Sequence, residues 1–124
     1  MDTTMQSKYN NRKVRCWGET FDSMLECERY KYLKALEQQK VISNLRRQVK
    51  YVLLPSQKDS KTRKTIEREI TYLADFVYKK GSQTIVEDVK GMKTDVYKIK
   101  RKLMLYFHGI RIKEVTKEKK TWAV

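Results

Sequence analysis

One histidine, one proline, two cysteines and four glycines in 124 residues leave little room for several familiar kinds of site. His108 with Cys16 and Cys27 cannot build a Cys/His zinc site of the usual kind. A single histidine and no nucleophile-elbow motif also argue against a Ser-His or Cys-His hydrolase. There is no Walker loop, no GxGxxG and no internal repeat. No apolar run approaches the roughly 20 residues of a membrane span, so no membrane partner is expected. The polar stretch from Met1 to Arg15 has no signal-peptide core, which makes a cytoplasmic protein the expectation. A disulfide between the two cysteines is the alternative, but without export signals free thiols are expected.

What is abundant is positive charge. Lys and Arg number 29 against 15 Asp and Glu, a formal net charge of +14. The charge is segregated: residues 16–39 and 65–89 are each net −2, whereas residues 40–64 are net +7 and residues 90–102 net +5. Acidic islands inside a strongly basic chain suit a polyanionic partner, nucleic acid above all. A solvated basic surface is the bland alternative. An apolar content of 40% and a length of 124 residues fit a single folded domain over residues 1–124.

Local patterns predict the order α-β-β-β-α-β. Residues 1–19 read as a polar arm with some order around Val14 to Trp17. Asp22 or Ser23 caps a helix running to about Gln39. Gln48–Leu54 reads as a strand stopped by Pro55, and 56–64 as a basic loop. Residues 65–78 read as one long strand, and 83–90 as the next, joined through Gly81-Ser82. Thr94 caps a second helix to about Phe107, with an apolar stripe of Val96, Ile99, Leu103, Tyr106 and Phe107. Ile110–Val115 is a last strand, and 116–124 a basic tail.

The acidic islands contain the residues that could carry chemistry. Asp75 lies near the end of the long strand. Asp88 and Lys90, two apart on the next strand, share a face with Val86, while Glu87 lies on the opposite face with Ile85 and Val89. An Asp beside a carboxylate-x-Lys can hold a hard divalent cation with an ammonium next to it, which is equipment for cutting a phosphodiester. A strand-end Asp in solvent and an exposed Asp-Lys pair are the ordinary alternatives. Glu26 stands at the third position after Ser23, where a glutamate can close a capping box. At roughly 100° per residue, however, Leu33 falls about 20° from it and Tyr30 about 40°. That centres Glu26 on the helix's apolar stripe, where a carboxylate needs a partner.

Helix Glu26, strand Asp75 and Asp88-x-Lys90 together resemble the PD-(D/E)XK nuclease superfamily, including archaeal-type Holliday junction resolvases with a helix-borne glutamate. More closely, Phe21-Asp22-Ser23 with Glu26 and Tyr30, then Ile70 to Phe76, Val86 to Gly91 and Lys93 to Tyr97, are similar to a family of small phage and prophage proteins described as a domain of unknown function. The resemblance spans roughly residues 8–115. One departure is Ala74, where the superfamily pattern has proline before Asp75.

The resemblance implies an α/β, restriction-endonuclease-like core with a mixed central sheet flanked by helices. The site would lie where the strands bearing Asp75 and Asp88 diverge. It implies Mg²⁺ or Mn²⁺ held by Asp75, Asp88 and the backbone carbonyl of Val89, with Glu26 completing the shell, and Lys90 serving the attacking water. The implied activity is a metal-dependent endodeoxyribonuclease acting on branched or duplex DNA, in a bacterial host cell if the chain is phage-encoded. Arg46, Arg47, Lys93, Lys98, Arg101 and Lys102 are the candidates for contacts to the nucleic-acid backbone. A non-catalytic nucleic-acid-binding module and a phage regulatory protein that binds a host protein remain the other readings. A homodimer also stays open, since so small a nuclease usually pairs to place two cuts.

Overall fold

A computed structural model describes residues 13–117. Its centre is a four-stranded mixed sheet in the order β3-β6-β7-β8, built from β3 (Ser43–Leu54), β6 (Ile70–Lys80), β7 (Gln83–Lys90) and β8 (Lys113–Thr116). The first three strands are antiparallel neighbours, and β7 and β8 are parallel. A parallel pair needs a crossover, and α2 (Asp95–His108) supplies it. Helix α1 (Met24–Gln38) covers the opposite face. The expected α-β-β-β-α-β core with a mixed sheet is therefore present.

Two small sheets are added to it. A hairpin of β1 (Val14–Cys16) and β2 (Glu19–Phe21) precedes α1. Its two-residue turn, Trp17-Gly18, has left-handed backbone at both positions, φ 55° and 77°, the geometry that matches the twist of hairpin strands. The second addition is a ribbon of β4 (Gln57–Lys58) and β5 (Thr65–Glu67). Its connecting turn is fixed by Asp59, whose Oδ1 accepts the amides of Lys61 and Thr62, each at 2.8 Å.

Several expectations are corrected. Residues 14–19 are not arm but part of the first hairpin, and residues 1–12 and 118–124 lie outside the described residues. The strand expected over 65–78 is interrupted at Arg68-Glu69, and Ile66 is exposed on the ribbon. The cysteines are not free thiols. The hairpin packs against the first turns of α1, which brings Cys16 and Cys27 to a Cα separation of 6.2 Å, and they form a disulfide.

The stripe expected to seat α2 is turned outward. Tyr97 and Met104 are the buried residues of this helix, with Leu103 partly buried, while Val96, Ile99, Tyr106 and Phe107 are exposed. The sheet offers Leu53, Tyr72, Ala74, Val77 and Val86 on that side. The large ring of Tyr97 and the flexible Met104, a heptad apart, fill it.

On the other face Phe21, Tyr30, Leu33, Ile42, Phe76 and Tyr78 join the disulfide in a second core. That core contains a full ion pair. Arg29 of α1 donates to Glu87 of β7 through Nε at 2.8 Å and Nη2 at 2.7 Å, and both side chains are 0% exposed. The hydroxyl of Tyr78 also donates to Glu87. Removing one partner of such a pair strands a buried charge, which costs about 3–5 kcal/mol. Arg29→Met is expected to lose that much in urea unfolding, and Arg29→Met/Glu87→Gln to recover most of it.

Candidate active site

Alternation along β6 breaks at Asp75. Tyr72 and Ala74 pack on the α2 side of the sheet, but Phe76 and Tyr78, of the same parity, pack on the α1 side. The neighbouring strand shows the cause. Gln48 of β3 has left-handed backbone, φ 54°, and falls opposite Asp75, between the pairs Arg47↔Phe76 and Val49↔Ala74. Pairing of β6 with β7 stops at Phe76↔Glu87. Beyond that pair the strands part, and the residues at the mouth of the gap are Asp75 and Asp88.

The gap opens into a cleft of about 490 Å³ whose walls include Glu26, Gln48, Tyr72, Asp75, Asp88, Val89, Lys90 and Lys100. The four residues that the sequence singles out, Glu26, Asp75, Asp88 and Lys90, are brought together here. The faces of β7 are as expected: Val86 lies on the α2 side, and Ile85, Glu87 and Val89 on the α1 side.

Each carboxylate has a distinct anchor. Asp75 Oδ2 accepts the amide of Val89 at 2.8 Å, with Gln48 Nε2 at 3.5 Å from its other oxygen. Asp88 is buried, accepts the Tyr72 hydroxyl at 2.7 Å and has Lys90 Nζ at 3.5 Å. Lys90 in turn sits 4.0 Å from the centre of the Tyr97 ring, a cation–π contact that aims the ammonium into the cleft. Tyr97 is braced from behind. Its hydroxyl donates to Glu114 at 2.7 Å, and Glu114 also holds Lys93 at 3.0 Å and Arg101 at 2.9 Å. Burial of Glu114 is outweighed by these donors, which hold its carboxyl at about 2.

Glu26 serves as cap and cleft wall at once. Ser23 Oγ accepts the Glu26 amide at 3.1 Å, and Glu26 Oε1 accepts the amide of Asp22 at 3.0 Å. Its second oxygen accepts from Gln48 Nε2 at 3.2 Å and has Arg47 at 3.8 Å. Burial raises its pKa, with repulsion from Asp22 and Asp88 adding to the effect and the Asp22 amide and Arg47 opposing it.

Burial likewise pushes the Asp75 carboxyl up to about 8, helped by the negative charges of Asp88 and Glu26 and opposed by the Val89 amide. This excess of negative potential is the observation against which a divalent cation can be judged. Among the described residues no three Asp, Glu, His or Cys side chains converge on one point. A hard cation such as Mg²⁺ commonly takes only one or two protein carboxylates and completes its shell with water and phosphate oxygens. Asp75 and Asp88, facing each other across the parted strands, fit that donor set.

The other predicted cations separate into two groups. Arg47 lies 3.9 Å over the Phe21 ring and pairs with Glu19 at 2.5 Å, so it joins the hairpin to the edge of the site. Lys93 and Arg101 are held by Glu114. Arg46, Lys98 and Lys102 are exposed. Gln48, Tyr72, Tyr97 and Lys100 are cleft residues that the sequence reading missed. Only Lys100, one position past the apolar stripe of α2, carries a local signal. The place of Gln48 depends on its left-handed backbone within β3, which no pattern announces.

Residues 6–123 match the protein family described as "Protein of unknown function (DUF1064)", and the chain belongs to that family. The description assigns no activity. No curated protein and no solved structure matches the chain.

The raised carboxyl of Asp75 has a consequence for stability. The native state keeps its proton up to about pH 8, whereas an unfolded Asp releases it near pH 3.9. Stability from this group is therefore full below about pH 4, declines as pH rises, and levels off above pH 8. Asp75→Asn should remove that decline: its melting temperature should equal or exceed wild type at pH 9, and the difference should shrink toward pH 4. A constant difference across this range would show that Asp75 ionises normally.

Proposed function

We propose that this member of the DUF1064 family is a metal-dependent endonuclease that hydrolyses phosphodiester bonds in DNA, with its site in the cleft between β6 and β7. The observation that carries the reading is the junction where the strands part: Asp75 and Asp88 face each other, Lys90 stands beside Asp88, and Glu26 closes the far wall. The resemblance of these four residues to the PD-(D/E)XK pattern supports the same conclusion.

In this reading Asp75, Asp88 and the carbonyl of Val89 hold Mg²⁺ or Mn²⁺, with Glu26 behind them. When bound, such an ion polarises the phosphoryl oxygen and acidifies water. The remaining steps belong to the chain. Lys90, steadied by Tyr97, orients the attacking water and offsets charge that builds on the phosphate. The Tyr72 hydroxyl keeps Asp88 turned into the cleft, and the Val89 amide does the same for Asp75. Lys100 on the rim, with exposed Arg46, Lys98 and Lys102, supplies the field that draws in the DNA backbone. Branched DNA suits this exposed rim as readily as duplex. In the second reading the same basic surface binds nucleic acid without cutting it, and metal binding separates the two.

Mn²⁺ should raise the melting temperature of the wild type, and Asp75→Asn/Asp88→Asn should abolish the shift. On a panel of flaps, forks, four-way junctions and linear duplexes, Lys90→Ala should lose at least about 100-fold in cleavage while keeping most of its salt-sensitive binding. An equal Mn²⁺ shift in wild type and double mutant would remove the proposed metal site.

Glu26→Gln tests the helix residue separately. The amide can still accept from Asp22, so the protein should melt within about two degrees of wild type, well under the loss of a full cap. Cleavage should nonetheless collapse. Normal cutting by the folded variant would leave capping as the whole role of Glu26.

A further inference from the structure

The outward face of α2 is apolar over its whole length. Val96 is 61% exposed, Ile99 57% and Tyr106 80%, with Leu103 between them partly buried. The intervals between these four residues are three, four and three. That is the spacing of a coiled-coil seam, in which Val96 and Leu103 take one inward position and Ile99 and Tyr106 the other. A helix seats such a seam against another helix, and no other element of the described chain covers it.

Charge at the edges of the seam selects the occupant and its direction. Asp95 precedes Val96, and Lys100 follows Ile99. In a parallel pair of identical helices these positions face each other, so Asp95 of each copy meets Lys100 of the partner subunit. Neither makes an ion pair among the described residues. An antiparallel pair would instead bring Lys100 toward Lys100 and Lys102 toward Lys102. We infer that the chain forms a two-fold symmetric dimer through parallel packing of the Val96, Ile99, Leu103 and Tyr106 seam of α2. Val96 and Lys100 also line the cleft, so the two clefts border one interface. The inference rests on the helix face and does not depend on the proposed catalytic reading.

Sedimentation or light scattering of the wild type should give twice the monomer mass. Ile99→Lys and the more exposed Tyr106→Lys should give monomers with an unchanged far-ultraviolet circular dichroism spectrum. Asp95→Lys should weaken the dimer about tenfold, and Asp95→Lys/Lys100→Asp should restore it. Oxidised Ile99→Cys should cross-link to itself on a non-reducing gel. A wild type that stays monomeric at every concentration would overturn the inference, as would a dimer indifferent to both lysine substitutions. Cross-linking confined to a mixture of Val96→Cys and Tyr106→Cys would establish the antiparallel arrangement instead. If the wild type is monomeric and Tyr106→Lys weakens its hold on an unpaired oligonucleotide, the seam is a base-stacking surface and the dimer is wrong.

Discussion

The buried ion pair between Arg29 and Glu87 sets where everything else falls. It ties α1 to the middle of the sheet through two hydrogen bonds of fixed geometry. One turn before Arg29 along the helix comes Glu26, and one residue after Glu87 along the strand comes Asp88. The pair therefore places the helix carboxylate and the strand carboxylate relative to each other, although it takes no part in the cleft. Its two charges face the α1 core, and Asp88 faces the other side of the sheet.

A second constraint is the break in alternation at Asp75. An undisturbed β6 would carry Asp75 on the face opposite Ala74 and Phe76 and keep it paired across to β7. The left-handed backbone at Gln48 lies opposite Asp75, where β6 changes face between Ala74 and Phe76, and the β6–β7 ladder ends one residue short of Asp75. The freed Asp75 then takes its hydrogen bond from the Val89 amide, which bridges the parted strands with a side chain in place of a ladder bond. The cleft and the excess negative potential in it thus have one origin.

Around this cleft the basic residues are not equivalent. Lys90 is held over Tyr97, whose hydroxyl rests on Glu114, and Glu114 also gathers Lys93 and Arg101. Arg47 stacks on Phe21 and links the disulfide-closed hairpin to Glu26 through Glu19. The high positive charge therefore divides into cations that build the walls of the site and exposed ones that give the surface its field.

Local rules were enough for the order of the core elements, the caps at Ser23 and Thr94, the turn at Gly81-Ser82 and the two faces of β7, because each depends on near neighbours and on a period of two or 3.6 residues. They were also enough to mark Glu26 as a carboxylate on an apolar stripe. The same test, applied evenly, marks Arg29 on that stripe and Glu87 between Ile85 and Val89. That these two satisfy each other, while Glu26 is left to the cleft, is decided by how α1 lies across the sheet. The outward turn of α2 was hidden for a related reason: an apolar stripe records that a helix has an apolar side, not what covers it. The disulfide, the placing of Gln48 opposite Asp75 and the meeting of Asp75 with Asp88 likewise join residues through packing, and only the tertiary structure could bring them together.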